Sequence, residues 1–189
     1  NIKDIDKNLD INTKINEKDL RFISALEDPF DVYGTCGERY LRLPLKDAER
    51  VSEGVKQLAA NTSGVRIRFK TDSKFVAVSV KYSDVCRIEH MSLAGTSGID
   101  MYTREDGGYL FQTLFLPPIS MEDSFESIHY FDTRQIRDIT LNLPLYSSVS
   151  DIYIGLDKNA LIEHGEKYKN KRPVVYYGSS ITQGGCATR

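Results

Sequence analysis

Val65–Tyr82 reads VRIRFKTDSKFVAVSVKY, and its periodicity decides the fold class. Val65, Ile67 and Phe69 alternate with Arg66, Arg68 and Lys70. A period of two turns one face of a strand toward a core and the other toward water. Phe75–Tyr82 (FVAVSVKY) is rich in the β-branched and aromatic residues that suit a pleated surface. Thr71-Asp72-Ser73 between the runs has turn chemistry. The spacing predicts a hairpin of half-buried strands.

The pattern recurs on both sides. Upstream, Asp19–Leu26 is the first candidate strand, and Glu38–Pro44 (ERYLRLP) is expected to be a short strand closed by proline. Val51, Val55 and Leu58 have helical spacing within Ala48–Ala60, before Gly64, and predict a short helix or turn. Downstream, Arg87–Leu93, Gly98–Tyr102, Tyr109–Phe115, Phe125–Phe131, Asp138–Leu143 and Val149–Leu156 are further strand candidates. Asp106-Gly107-Gly108 supplies a turn among them. Short strands about ten residues apart, with few helices, predict a mainly β fold. The expected architecture is an antiparallel β-sandwich of the jelly-roll type.

Composition agrees with a globular chain. The 189 residues are 40% hydrophobic and 28% charged, unlike a disordered segment. With 25 Lys+Arg against 27 Asp+Glu, the chain lacks the positive excess a nucleic-acid binder uses to displace counterions. No apolar run approaches the roughly 20 residues of a membrane-spanning helix. Cys36, Cys86 and Cys186 are odd in number and lack C-x-x-C spacing, so they are expected to be buried or half-buried thiols. One bridge with a spare thiol is the alternative. The chain begins at Asn1 without an apolar leader, as in a trimmed or processed chain.

Four segments are expected. Residues 1–30 form a loosely ordered arm or first strand, 31–163 the sandwich, 164–172 a linker, and 173–189 a separate element. Asp6, Asn8, Asp10, Asn12 and Glu17 imitate calcium-loop spacing, but Ile11 stands where the sharp turn needs Gly. A solvated polar arm is expected there, and no metal or cofactor is predicted. Asn61-Thr62-Ser63 has the form of a glycosylation acceptor. Lys167–Arg172 (KYKNKR) is a basic run of linker character.

The last segment carries the chemistry. Val174–Tyr177 is apolar without alternation, as in a strand buried on both faces of a parallel sheet. Gly178-Ser179-Ser180 follows, then an expected helix start. Such a junction exposes a serine beside unpaired helix N–H groups that can stabilise an oxyanion. A phosphate loop is excluded, because Gly185-Cys186 stands where Lys-Ser/Thr would be needed.

Tyr177–Arg189 (YGSSITQGGCATR) resembles the first block of the SGNH/GDSL hydrolases, in the subgroup with Gly-x-Ser. On that resemblance Ser180 matches the nucleophile, Ser179 takes the place of the usual Asp, and Gly178 opens the oxyanion turn. Gly98-Ile99-Asp100-Met101-Tyr102 is similar to the Gly-x-Asp-Leu-Tyr motif of the β-sandwich that precedes the catalytic domain, with Met101 for Leu. Leu143-Pro144-Leu145-Tyr146 and Ile154-Gly155 look like its final strands. The likeness runs from about Arg39 to Arg189.

The resemblance implies a carboxylic ester hydrolase, often acting on acetyl groups of carbohydrates, in which His activates Ser and Asp orients His. In such enzymes the oxyanion Gly and Asn and the closing Asp-x-x-His follow the serine block. Here nine residues follow Ser180, and His90, His129 and His164 all precede it. Glu126-Ser-Ile-His129 has the spacing with the wrong acid, and in a strand positions three apart face opposite sides. The expectation is a β-sandwich joined to the first strand of a truncated α/β hydrolase domain, inactive alone. Its partner would be the missing C-terminal catalytic domain, and its substrate a carbohydrate ester. The sandwich would pack on that domain, with Asp100 and Tyr102, in a loop between strands, at the cleft rim. The alternative is that Asp100 caps a turn and Tyr102 packs beneath it. The competing role is a carbohydrate-binding module, which a row of coplanar exposed tyrosines would favour among the 11 Tyr and 8 Phe. The resemblance implies a periplasmic or secreted parent.

Overall fold

The computed structural model describes residues 13–36, 38–106 and 108–186. Among the described residues, ten strands form two antiparallel sheets. One sheet holds β1 (Leu20–Ser24), β9 (Ser148–Asp157), β4 (Phe75–Asp84) and β7 (Ser124–Tyr130), in that order. The other runs β10 (Ile162–His164), β3 (Arg66–Thr71), β8 (Arg137–Asn142), β5 (Ile99–Glu105) and β6 (Gly108–Phe115). The short β2 (Asp31–Tyr33) shares β3's outer edge with β10, β2 covering Arg66–Arg68 and β10 covering Phe69–Thr71.

Without β2 and β10, eight strands remain. In chain order the first, eighth, third and sixth make one sheet, and the second, seventh, fourth and fifth the other. That is jelly-roll order. Inward side chains meet between the sheets: Val76, Val78, Val80, Ile152 and Ile154 from one, Ile67, Phe69, Ile139, Leu141, Ile99 and Met101 from the other.

The expected β3–β4 hairpin is not formed, because the two strands belong to different sheets. Thr71-Asp72-Ser73 is the corner between them. Ser73 Oγ donates to Phe75 O at 2.6 Å and accepts from Asp157 N at 3.0 Å. Alternation is identical in either arrangement, since each strand still has one inward face.

Other expectations shift locally. Glu38–Pro44 is a turn closed by Leu41 N donating to Glu38 O at 2.9 Å, with Arg39 at φ 45°. Ala48–Ala60 divides at Ser52 into α1 (Leu45–Val51) and α2 (Glu53–Ala59). Ser52 is extended at φ −172°, and its Oγ caps the second helix by accepting from Val55 N at 3.2 Å. Arg87–Leu93 makes only one bridge, Ile88 with Met91, before α3 (Leu93–Ser97), because the Ser92 carbonyl draws the chain into a helical turn. Cys86 is half-buried, whereas Cys36 and Cys186 are exposed, and all three are thiols. Of the calcium-like spacing, only Glu17 lies within the described residues, where its carboxylate accepts from the Tyr130 hydroxyl at 3.0 Å.

Gly155 lies between Phe22 and Ala77 across the first sheet. A Cβ there would meet Leu20 Cδ1 at 2.7 Å, Ala77 Cβ at 2.8 Å and Phe22 Cε1 at 2.9 Å. Gly155→Val is expected to lower stability by about 1–3 kcal/mol through overpacking, read as an earlier midpoint in urea unfolding. An unchanged midpoint would mean that β1 yields freely.

Candidate functional site

The site begins with the loop between β8 and β9, residues 143–147, which buried polar groups hold from below. Thr62 Oγ1 donates to Pro144 O at 2.9 Å, and the amides of Tyr146 and Ser147 both donate to Thr96 O at 3.1 Å. Ser147 Oγ contacts Ser97 Oγ at 2.7 Å and accepts from Cys86 N at 3.1 Å. Thr62, Thr96, Ser97 and Ser147 are all fully buried. Each satisfied bond contributes about 1 kcal/mol, and an orphaned partner would cost more. This gives the end of the sandwich a rigid floor.

The serine block docks on that floor. It contains α4 (Ser180–Gln183). Ser179 is its N-cap, with Oγ accepting from Ile181 N at 3.4 Å, and Ser180 is the first helical residue, exposed. A Cβ on Gly178 would lie 2.2 Å from Thr182 Oγ1 and 3.0 Å from Thr182 Cβ, so a larger residue would have to displace that side chain. Gly184 ends the helix at φ 99°, and a Cβ there would also press on Leu145 at 2.9 Å. Gln183 Nε2 donates to Leu145 O at 2.9 Å and to Asn61 Oδ1 at 3.1 Å, while Ser63 Oγ donates to Gln183 O at 2.9 Å. The Tyr146 hydroxyl donates to Ser180 O at 3.3 Å. Burial, with the Cys186 and Cys86 thiols nearby, raises the Tyr146 phenol above its ordinary pKa.

The run before the block differs from expectation. Val174–Tyr177 is not a paired strand; Val175 is 82% and Tyr177 99% exposed. Every described strand belongs to the two antiparallel sheets, so this apolar run has no parallel neighbour to bury its faces.

No hydrogen bond joins Ser180 Oγ to a histidine among the described residues. His90 approaches the block through its carbonyl, 4.0 Å from Cys186 Sγ. His129 pairs with Val76 and sets its ring edge-on to Phe131 at 5.0 Å. Burial and the nearby Arg137 lower its pKa. Glu126 instead accepts from Thr13 Oγ1 at 2.9 Å. His164 lies between Asp31 and Asp28, each at 3.2 Å. The described part of the chain presents a serine turn without a base.

Asp100 and Tyr102 stand within β5, not in a loop. Asp100 lies between Asn142 and Leu114, and Tyr102 between Thr140 and Phe111, on the face turned away from the core. Gly98 is tight against Ala94 O, 2.5 Å from a would-be Cβ, and Met101 is fully buried. The stretch therefore packs one side inward and presents Asp100 and Tyr102 outward. Tyr102 meets Phe111 edge-on at 5.5 Å and 68°. Tyr33 and Tyr168 are also edge-on, at 77°, and the stacked pair, Tyr82 with Phe125, is buried. The described aromatic pairs do not form a coplanar exposed row.

Asn61, Ser63 and Gln183 carry no functional signal in the sequence. Asn61 has the form of a glycosylation acceptor, but it is 4% exposed and its Nδ2 donates to Tyr146 O at 2.8 Å. No local pattern marks a pair separated by 122 residues.

Residues 20–162 match the model of a family described as GxDLY, the N-terminus of SGNH-hydrolase-type esterases. No curated protein matches the chain. A solved GDSL-like lipase from Bacteroides ovatus ATCC 8483 superposes with a TM-score of 0.71 at 24% identity, over 78% of this chain and 43% of that one. The salicylyl-acyltransferase SsfX3 from a tetracycline biosynthetic pathway superposes with a TM-score of 0.59 at 20% identity, over 81% of this chain and 44% of that one. At these identities the likeness is one of fold. The chain spans less than half the length of either.

Proposed function

Because the chain belongs to the GxDLY family, the N-terminal part of SGNH-hydrolase-type esterases, we propose that it is the accessory β-sandwich of a carboxylic ester hydrolase. The sandwich runs on past the expected boundary, since His164 ends β10 and Glu166 and Tyr168 pack on Arg68; residues 169–172 then link it to 173–189, the nucleophile block and first strand of a catalytic domain that follows. The substrate is an acyl or acetyl ester of a carbohydrate, and the parent is periplasmic or secreted. Ser180 Oγ attacks the ester carbonyl and passes its proton to a histidine of the catalytic domain. The ester C–O bond breaks, the alcohol leaves with that proton, and water then hydrolyses the acyl-serine. Gly178 and Ser179 shape the turn whose N–H groups face the oxyanion. Asp100 and Tyr102 form part of the cleft rim.

The observation that carries this reading is the docked turn: Ser180 exposed at a helix start, with Gln183 and Gly184 seated on the sandwich. A fluorophosphonate probe tests it, because it reacts only with an activated serine. The chain extended through its catalytic domain is expected to take one probe at Ser180, mapped by peptide mass, and the 189-residue chain none. Labelling at another serine would overturn the assignment. Labelling of the short chain would show that one of its own three histidines reaches Ser180.

A further inference from the structure

Asn61 is buried, yet every polar atom of its side chain is engaged. Its Nδ2 donates to Tyr146 O at 2.8 Å and to Ser148 Oγ at 3.4 Å. Its backbone carbonyl accepts from Arg42 Nε at 2.7 Å. Since both N–H groups point into the sandwich, Oδ1 is the atom presented to the docked turn. There it accepts from Gln183 Nε2 at 3.1 Å, and the other Nε2 hydrogen goes to Leu145 O at 2.9 Å. Gln183 lies three residues beyond Ser180, and its own amide donates to Ser179 O at 3.2 Å. The setting of α4 therefore follows an amide whose orientation is fixed from inside the sandwich.

We propose that Asn61 and Gln183 are a positioning pair that sets Ser180 for attack, so that the sandwich takes part in the nucleophile's geometry as well as covering the cleft. This rests on Ser180 being the nucleophile. The pair acts through the helix backbone and touches no substrate. Displacing a nucleophile by about 1 Å can cost about 100-fold in rate, and two part-buried hydrogen bonds, one to the buried Asn61, resist such a displacement.

Gln183→Met keeps the side-chain length and removes both donors. In the 189-residue chain it is expected to speed hydrogen exchange at the amides of Gln183, Gly184 and Gly185 by about tenfold, leaving the sheet amides unchanged. In the extended protein it is expected to lower kcat for an activated ester about 10- to 100-fold, with KM kept within about twofold. Gln183→Glu supplies a signature that a merely structural role lacks. Its carboxyl can donate only when protonated, so its kcat relative to wild type should rise as pH falls. Unchanged exchange in Gln183→Met, or wild-type kcat in an active extended protein, would overturn the pair. An extended wild-type protein that hydrolyses no ester would instead remove the functional reading, which separates the two failures.

Discussion

Ser180→Ala in the extended protein should lower kcat/KM for an activated ester by at least about 10⁴-fold. The hydroxyl is the atom that forms the acyl bond, and alanine leaves only the turn and its N–H groups. Substrate affinity should change little, since a serine hydroxyl contributes little to ground-state binding. The neighbour provides the contrast. Ser179 Oγ is occupied as the cap of α4, accepting from Ile181 N at 3.4 Å. Ser179→Ala should therefore cost about 1 kcal/mol of local helix stability and a modest part of kcat. If the larger loss followed Ser179→Ala and the smaller one Ser180→Ala, the assignment of the nucleophile would be reversed.

The fold was legible where burial imposes a period. Val65–Tyr82 and Ile152–Leu156 alternate because every second residue enters one core, and both lie in strands. Alternation does not say which sheet a strand joins. The β3–β4 corner depends on hydroxyl contacts from Ser73 to Asp157, far along the chain. β2 and β10 span three residues each, too few to show a period. Within the site, Ser179 and Ser180 were legible because a serine pair between a glycine and a helix start is a local feature. Asn61 and Gln183 were not, because what joins them is tertiary.

Arg68 shows the same limit and leads to the second large effect. Alternation assigns it to water with Arg66 and Lys70, yet its side chain is 1% exposed. Residues 165–168 lie over it. Its guanidinium donates to Thr140 Oγ1 at 3.3 Å, to Asp138 Oδ1 at 3.3 Å and to the Glu166 carbonyl. Asp138 Oδ2 in turn accepts from Glu166 N at 3.0 Å. The Arg–Asp pair thus satisfies both backbone groups of Glu166 as a neighbouring strand would. Tyr168 closes over the guanidinium at 4.7 Å from ring centroid. A Cβ on Gly165 would sit 2.9 Å from Arg68 Cβ, so glycine is what lets the segment approach.

Arg68→Ala should therefore cost about 3–5 kcal/mol, because it leaves the Asp138 carboxylate buried without its cation. That is a large share of the roughly 5–15 kcal/mol by which a domain is stable. Urea unfolding would show it as an earlier midpoint with an unchanged slope. Trypsin should then cut at Lys167 and Lys169 sooner than in the wild type, since the strap leaves the sheet before the core unfolds. The double substitution Arg68→Met with Asp138→Leu separates charge burial from strap anchoring. Removing both charges should recover most of the stability, because the desolvation cost disappears with them. Trypsin sensitivity should remain, because Glu166 then lacks both backbone partners, Arg68 for its carbonyl and Asp138 for its N–H. If the double variant were as unstable as Arg68→Ala, the loss would lie in packing around Tyr168 and not in the stranded carboxylate.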